Sequence, residues 1–283
     1  MNDDATLSLP LPPTGGPTGD AVRRGLLRKM RAELDDTVRY LMPFEEPLAI
    51  HEHVGRWVEL VFTGEIECLS CGKRIKKTYG EGACYPCFQK EASFSPCIVR
   101  PELCRAHLGE GRDPDWEVAH HAQPHVVYLA WTGALKVGVT RDTNIPTRWL
   151  DQGAGAAIRL AEVPYRQLAG EIEVAMKAHL SDRTQWQRML ADGPTDVDMV
   201  AEKRRYAALL DDGLKQWRSE NDEVVRPRYP LPTPPMKPTR ISLDKTRAVD
   251  GLLTGIRGQY LIFEGERALN VRRHAGYRVE LAV

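Results

Sequence analysis

Four cysteines in two closely spaced pairs are the residues of this sequence best suited to chemistry. The pairs are Cys68 with Cys71 and Cys84 with Cys87, and twelve residues separate them. Two Cys-x-x-Cys turns at this separation bring four thiolates within tetrahedral reach of one Zn²⁺. A site closed by four protein ligands leaves no coordination position for a substrate. We therefore predict a structural zinc site, the alternative being four unrelated buried cysteines.

Further metal-binding residue types follow the second pair. A second zinc site is predicted, with Cys97 and Cys104 as its better supported ligands and with His107 and His121 as the side chains expected to complete it. The spacing matches no standard zinc motif, so a polar loop rich in histidine is the alternative interpretation. Residues 68–123 are thus predicted to form a zinc-binding region holding one or two zinc ions.

The charge of the chain is balanced overall, with 39 basic and 39 acidic residues, but it is unevenly distributed. Residues 68–100 contain six basic and two acidic residues and residues 226–283 eleven and five, whereas residues 151–225 contain ten and fourteen. Two basic surfaces suit a polyanion such as DNA or RNA, although ordinary solvated faces are the alternative. The first candidates for contacts with a phosphate backbone are Lys73, Arg74, Lys76 and Lys77.

Several classes of protein are disfavoured by what the sequence lacks. No apolar run approaches the roughly 20 residues of a membrane span, and no secretory signal pattern is present. We therefore expect a cytoplasmic protein without a membrane partner, in which cysteines bind metal rather than form disulfides. A Gly-rich loop of the P-loop or dinucleotide type is also missing, so no nucleotide cofactor is expected. The oligomeric state is not indicated.

The elements that must position further polar residues begin at residue 124. Two apolar runs flank a turn at Thr132-Gly133, and a helix start is predicted near Pro146, so a hairpin precedes a helix. This order brings Tyr128, Lys136 and Arg148 together as a small phosphate-handling surface, with Arg141 as a further phosphate contact. The next helix, predicted over residues 166–180, carries Glu171 and Glu173 on the margins of its apolar face, and periodicity does not choose between them.

The remaining segments predict an α+β fold. Residues 1–19 contain four prolines and three glycines and are predicted to be a flexible tail. Residues 25–67 are predicted to hold strands, the first pair over residues 26–30 and 37–42. Residues 239–283 are predicted to hold further strands, over residues 255–263, 268–272 and 277–282, that pair with the first ones into one β unit. A second helix is predicted over residues 196–217, capped by Thr195. Residues 226–238 contain six prolines and are predicted to be an extended connector.

The segment of residues 124–225 resembles the GIY-YIG nuclease domain. The resemblance rests on Tyr128 in the first strand, the triplet Lys136-Val137-Gly138 in the second, Thr140 and Asn144 after it, and Arg148 in the first helix. It implies a small β-sheet with flanking helices, into which the zinc ribbon or knuckle is inserted. It also implies catalytic roles for Tyr128 and Arg148 and a Mg²⁺ ligand at Glu173. Lys136 stands where the family carries its second tyrosine.

The whole chain resembles a bacterial family of unknown function, DUF2797. The likeness covers residues 25–283 and is most specific in KVGVTRDTNIPTRWLDQGA. It implies a fuller cysteine set, with Gly111 at a position where a cysteine is expected. Three functions follow as hypotheses. The first is a Mg²⁺-dependent phosphodiester hydrolase of divergent GIY-YIG type, and the second is a zinc-knuckle protein that binds DNA or RNA without cutting it. The third is a zinc-stapled scaffold for protein interactions.

Overall fold

The computed structural model describes residues 22–193 and 195–283, so the predicted flexible tail lies outside the described part of the chain. The fold is mixed α+β with several sheets and helices, which confirms the predicted class. The strands are β1 (Arg23–Leu26), β2 (Arg31–Glu33), β3 (Arg39–Leu41), β4 (Trp57–Glu67), β5 (Arg74–Ile75), β6 (His125–Trp131), β7 (Leu135–Arg141), β8 (Ala156–Val163), β9 (Thr239–Ile241), β10 (Ala248–Arg257), β11 (Tyr260–Phe263), β12 (Arg267–Asn270) and β13 (Tyr277–Ala282). The α-helices are α1 (Tyr85–Lys90), α2 (Pro114–His121), α3 (Thr147–Asp151), α4 (Arg166–Lys177), α5 (Trp186–Ala191), α6 (Met199–Ala207) and α7 (Asp212–Lys215).

The largest sheet joins both ends of the described chain. Its strands follow the order β1-β13-β4-β10-β11-β12-β9, and β5 pairs with β4. The last strand, β13, lies antiparallel between β1 and β4. Its residues Tyr277, Val279 and Leu281 are buried while Arg278 and Glu280 remain partly exposed, which is the period of two that a strand with one covered face requires. Strands from the two ends of the sequence therefore share one apolar core.

Two strand segments differ from the sequence pattern. Residues 27–30 form no strand, and the predicted first pair appears as β2 and β3. The continuous strand expected over residues 255–263 is a hairpin of β10 and β11, because Gly258 turns the chain with a φ of +60°. Glycine adopts a positive φ without the steric penalty of a side chain.

The second sheet is antiparallel and has the order β7-β6-β8. Strands β6 and β7 form the hairpin, α3 lies between β7 and β8, and α4 follows β8. Tyr128 on β6 lies directly opposite Gly138 on β7. A Cβ added at Gly138 would lie 2.5 Å from the Tyr128 hydroxyl oxygen, so the glycine leaves the room that the phenol ring occupies.

The helix predicted over residues 196–217 is divided into α6 and α7. The division follows from two N-terminal caps. The Asp198 side chain accepts hydrogen bonds from two backbone N–H groups at the start of α6, and the Asp211 side chain accepts one at the start of α7. Residues 226–238 form neither helix nor strand. Across residues 22–193 and 195–283, no helix has both the length and the apolar character needed to cross a membrane.

Helix α3 is fixed to the larger sheet through Asp151. This buried carboxylate forms an ion pair with Lys29 and accepts a hydrogen bond of 3.0 Å from the Gln259 side chain. Arg257 donates a hydrogen bond of 2.9 Å to the carbonyl of Gly153. These contacts hold the end of α3, one turn after Arg148, against the largest sheet.

Candidate metal centres and phosphate site

The four cysteines of the first predicted site come together at the end of β4 and the start of α1. Their sulfur atoms all lie within 4.8 Å of one another, and Sγ of Cys71 is 3.8 Å from Sγ of Cys84. Two thiolates on one tetrahedral Zn²⁺ are separated by about 3.8 Å when each Zn–S bond is about 2.3 Å. Cys68, Cys71, Cys84 and Cys87 could therefore hold a zinc ion.

Backbone hydrogen bonds favour the thiolate form of Cys68. The N–H groups of Cys84 and Cys71 point to its sulfur, at 3.1 and 3.5 Å. Burial opposes the negative charge, but the N–H groups of Cys71, Cys84 and Ser70 together outweigh it and lower the pKa of Cys68 to about 6. Because the thiolate is the form that binds metal, this sulfur is prepared for a cation.

The predicted basic run lies on the segment between the two cysteine pairs, residues 72–83, which we call the knuckle loop. Lys73, Arg74, Lys76 and Lys77 are all exposed. Arg74 forms an ion pair across to β4, and the Lys77 ammonium lies 5.3 Å from the centre of the Tyr79 ring. A cation over an aromatic face keeps its charge and its solvent exposure. The knuckle loop thus exposes four positively charged side chains between the two cysteine pairs.

The knuckle loop lies near helix α3. Its residue Glu81 forms an ion pair with Arg272, which follows β12. The charge of Arg272 acts in turn on Asp151 at the end of α3. Tyr128 raises the pKa of Arg148 most, and the carboxylate of Glu81 adds to that rise. The ion pair between Glu81 and Arg272 thus ties the knuckle loop to the segment that follows β12.

The second group of metal-type residues is also brought together. Nδ1 of His121, at the end of α2, lies 3.8 Å from Sγ of Cys97 and 3.6 Å from Sγ of Cys104. All three side chains are buried. The other predicted ligand does not join them: His107 is exposed, and its ring stacks on Tyr165 with ring centres 4.5 Å apart. The prediction for His107 is corrected because its aromatic contact directs the imidazole away from the two thiols.

Tyr128 and Arg148 meet through an amide. The Tyr128 hydroxyl lies 2.9 Å from the side-chain amide of Gln152. With the amide nitrogen facing Tyr128, the amide oxygen accepts hydrogen bonds from Nε and Nη2 of Arg148, at 3.1 and 3.2 Å. Burial raises the pKa of Tyr128, and the neighbouring guanidinium opposes that rise. The phenol is therefore neutral at physiological pH and serves as a hydrogen-bonding group.

Lys136 on β7 and Glu173 on α4 are two buried charged residues of this domain. The Lys136 ammonium is buried and donates to the carbonyl oxygen of Asp182 at 3.1 Å. Burial, together with the charge of Arg148, lowers the pKa of Lys136 to about 8, against the opposing effect of Glu173. Burial also raises the pKa of Glu173, whose carboxylate pairs with Lys177 at 3.1 Å. Each buried charge thus has a partner of opposite sign or a polar oxygen.

The two glutamates of α4 differ in burial. Glu173 is buried against the sheet, whereas Glu171 is exposed and accepts a hydrogen bond from Gln167 one turn earlier. Of the residues after the hairpin, Asn144 donates to the Thr140 hydroxyl at 3.2 Å. Arg141 ends β7 and is partly exposed. The fold therefore joins Tyr128 and Arg148 through Gln152, and it leaves Arg141 at the partly exposed end of β7.

Three side chains of these sites escaped the sequence analysis. Gln152 lies one turn after Arg148, a spacing at which side chains on a helix meet, and that spacing is the signal that could have found it. Lys177 lies one turn after Glu173 in the same way. Glu117 lies one turn before His121 on α2 and reaches the second cysteine group. An i, i+4 search around the predicted ligands would have identified all three.

These features define a class: a mixed α+β protein with a cysteine cluster that could hold zinc. The chain matches the model of the family described as "Protein of unknown function (DUF2797)" over residues 55–279. It belongs to that family. No curated protein and no solved structure matches the chain.

Proposed function

We propose that this chain is a zinc-stapled protein that acts on nucleic acid and holds a phosphodiester at Arg148. One observation carries this conclusion: the chain presents four exposed cations on a loop between two cysteine pairs, together with a partly exposed arginine whose guanidinium is oriented by Gln152 beside the buried Tyr128. A polyanion needs several cations in one region to release enough counterions for useful affinity. The knuckle loop supplies Lys73, Arg74, Lys76 and Lys77 for this purpose, and the neighbouring Arg148 adds a directional donor.

Arg148 is suited to a phosphate because its guanidinium is held at one edge. Nε and Nη2 are engaged by Gln152, which fixes the orientation of the planar group. A guanidinium has five N–H donors, so donors remain for two phosphate oxygens. Tyr128 holds Gln152 from the other side and is a positioning residue in this arrangement. The Lys136 ammonium adds positive charge below the same sheet.

The order of elements supports a divergent GIY-YIG-like domain over residues 124–225. A hairpin, a helix with Arg148, a third strand and a helix with Glu173 follow one another, and the third strand pairs with the first. The tyrosine, arginine and glutamate that the resemblance implies thus occur on the expected elements, in the order first strand, first helix and the helix after the third strand. In this proposal the zinc knuckle is an insertion that braces the basic loop.

Hydrolysis is the second candidate function, and the burial of a carboxylate at Glu173 favours it. The charge of Glu173 adds to the rise that burial causes in the pKa of Tyr128. However, the Glu173 carboxylate is engaged by Lys177, whose ammonium also lies 3.2 Å from Asp182. An ammonium between two carboxylates occupies the kind of position that a Mg²⁺ ion requires. The arrangement therefore suits phosphate binding better than metal-dependent cleavage.

One experiment separates the candidates. Purified protein is incubated with labelled DNA and RNA, single and double stranded, with and without Mg²⁺ or Mn²⁺, and both retention and cleavage are recorded. We expect salt-sensitive retention without cleavage, weakened roughly tenfold in Arg148→Ala by loss of about 1.5 kcal/mol from a charge-assisted hydrogen bond. Arg205→Ala, which removes an exposed arginine paired with Glu202 on α6, is the matched control and should bind normally.

The other outcomes each favour a different function. Metal-dependent cleavage that is lost in both Glu173→Gln and Arg148→Ala would establish the hydrolase instead. Neither retention nor cleavage of any nucleic acid, in protein that carries its zinc, would overturn the proposal and favour a scaffold for protein interactions.

A further inference from the structure

A buried carboxylate stands beside the second cysteine group. Glu117, in α2, is 2 % exposed. Its Oε2 atom lies 4.0 Å from Sγ of Cys97 and 3.9 Å from Nδ1 of His121. Oxygen and sulfur ligands of one tetrahedral zinc ion are separated by about 3.5 Å, given bonds of about 2.0 and 2.3 Å. The carboxylate is therefore placed where a fourth ligand would complete the three-residue group.

The two oxygens of Glu117 have different surroundings. Oε1 accepts a hydrogen bond of 2.7 Å from the Ser95 hydroxyl and one of 3.0 Å from the backbone N–H of Arg112. Oε2 faces the thiol and the imidazole instead. Metal-binding carboxylates are commonly held in this way, with one oxygen oriented by hydrogen bonds and the other on the ion.

The chain leaves space for this carboxylate at Gly111. A Cβ added there would lie 2.5 Å from Oε2 and 2.7 Å from Oε1 of Glu117, closer than real side-chain contacts allow. Any larger residue would displace the carboxylate from the cysteines. The glycine and the glutamate thus fit each other at the centre of the group.

We propose that Cys97, Cys104, His121 and Glu117 bind a second zinc ion. All four side chains are at most 5 % exposed, so the site is closed and its role is structural. Two thiolates and a carboxylate exceed the charge of Zn²⁺ by one. Arg166 compensates for the excess, because its guanidinium donates to the carbonyls of Cys97 and Ile98 at 3.0 and 2.9 Å. Without a cation, Oε2 of the buried Glu117 carboxylate would have only the long contacts of 4.0 Å with the Cys97 thiol and 3.9 Å with the His121 imidazole to offset its desolvation.

This ion would position helix α4. Arg166 is the first residue of α4, and it binds the loop that carries Cys97. Four residues later, Gly170 packs against the backbone of Pro101 and Glu102, between the two cysteines. The metal-bound loop therefore forms one wall for the helix that presents Glu173. This inference concerns the fold of the site and does not depend on whether the protein binds nucleic acid.

Zinc counting on the intact protein tests the proposal. Native mass spectrometry of the wild-type chain, purified without chelator, should give two zinc ions. Differential alkylation of the same folded protein should leave Cys97 and Cys104 unmodified until chelator is added. Because both measurements use the wild-type chain, they do not depend on whether a variant folds. One zinc ion, with Cys97 and Cys104 alkylated at once or joined in a disulfide, would overturn the proposal.

Variants then identify the fourth ligand. In Glu117→Gln, the second zinc ion should be lost at a chelator concentration at least about tenfold lower than in the wild type. Glu117→Cys should retain both ions, since a thiolate replaces the carboxylate. His120→Gln is the matched control for His121→Gln: His120 stacks on Trp116 and should keep two ions, whereas His121→Gln should keep one. Unchanged zinc affinity in Glu117→Gln would exclude the carboxylate as a ligand.

Discussion

Lys136 is a cation enclosed by the protein, and its burial has a measurable consequence. Its ammonium is 4 % exposed and is held by the carbonyl of Asp182 and the hydroxyl of Thr184. Burial disfavours the charged form, and the positive charge of Arg148 disfavours it further, so the folded-state pKa is about 8 against 10.5 for an unperturbed lysine. Lys136 therefore loses its proton at a lower pH than an exposed lysine does.

The first prediction concerns the stability of the chain between pH 8 and pH 10. The folded protein binds fewer protons here than the unfolded chain, because the folded pKa is the lower one, so the free energy of unfolding should rise with pH. The contribution of one group reaches at most about 1.4 kcal/mol per pH unit. Urea unfolding at several pH values should show this rise in wild type and in Lys90→Met, an exposed control. Lys136→Met should lack it, and parallel curves for all three proteins would contradict the assigned burial.

At the residue scale, local chemistry was predictable and distant contacts were not. The cysteine pairs Cys68-Cys71 and Cys84-Cys87 could be predicted because each Cys-x-x-Cys turn is local. Only the approach of the two turns to each other has to be inferred. The spacing of Glu117 to His121 is a local signal, but the orientation of its carboxylate could not be predicted, because it depends on Ser95, which is 22 residues away, and on the space at Gly111. Between Glu171 and Glu173, only the packing of α4 decides.

Helix α4 packs against two parts of the molecule, the small sheet and the loop between Cys97 and Cys104. One of its faces covers the small sheet through Leu168, Ile172 and Met176. Gly170 faces the loop of residues 101–103 instead, and a Cβ at this position would come within 2.7 Å of Glu102 Cα. The helix and the loop can approach this closely only because the side chain is absent.

The second prediction follows from this close approach. Glycine lowers helix stability by about 1 kcal/mol relative to alanine, so Gly170→Ala would stabilise an isolated helix. In the folded protein the clash should dominate and reduce the free energy of unfolding by about 1–3 kcal/mol. Gly213→Ala in α7 is the control, since its nearest neighbour is a carboxylate oxygen at 3.4 Å and stability should stay equal or rise. Chemical denaturation of both variants provides the measurement, and a stable Gly170→Ala would show that the loop does not press on the helix.

At the element scale, the sequence predicted the hairpin of β6 and β7, the strand β13 and helix α4 because their apolar periodicity is strong. It missed the division between α6 and α7, since the caps at Asp198 and Asp211 interrupt one apolar pattern without changing its period. It also merged β10 and β11, because Gly258 produces a two-residue turn inside a continuous apolar run. Breaks of this kind depend on single residues rather than on patterns.

At the scale of the whole molecule, the largest sheet and the three-stranded sheet are linked through Asp151 on α3. The pairing of β1 and β4 with β13 joins residues more than 200 positions apart, and only the expectation that three strands cannot bury themselves pointed to it. Overall neutrality, with 39 charges of each sign, hides the separation of basic and acidic regions. The knuckle loop carries exposed positive charge near Arg148, whereas α6 and α7 lie in the acidic segment. This distribution is the basis for proposing a polyanion as the partner.

Salt dependence of binding tests this central claim most directly. The logarithm of the binding constant for a labelled oligonucleotide should fall linearly with the logarithm of salt concentration, in proportion to the number of phosphates neutralised. Removal of two contacts in Lys73→Ala/Lys76→Ala should lower the magnitude of the slope by about 1.4 on single strands or about 1.8 on duplex. Arg204→Ala/Arg205→Ala, on the acidic segment, removes the same charge and should leave the slope unchanged. Equal slopes for the wild type and both variants would contradict the account.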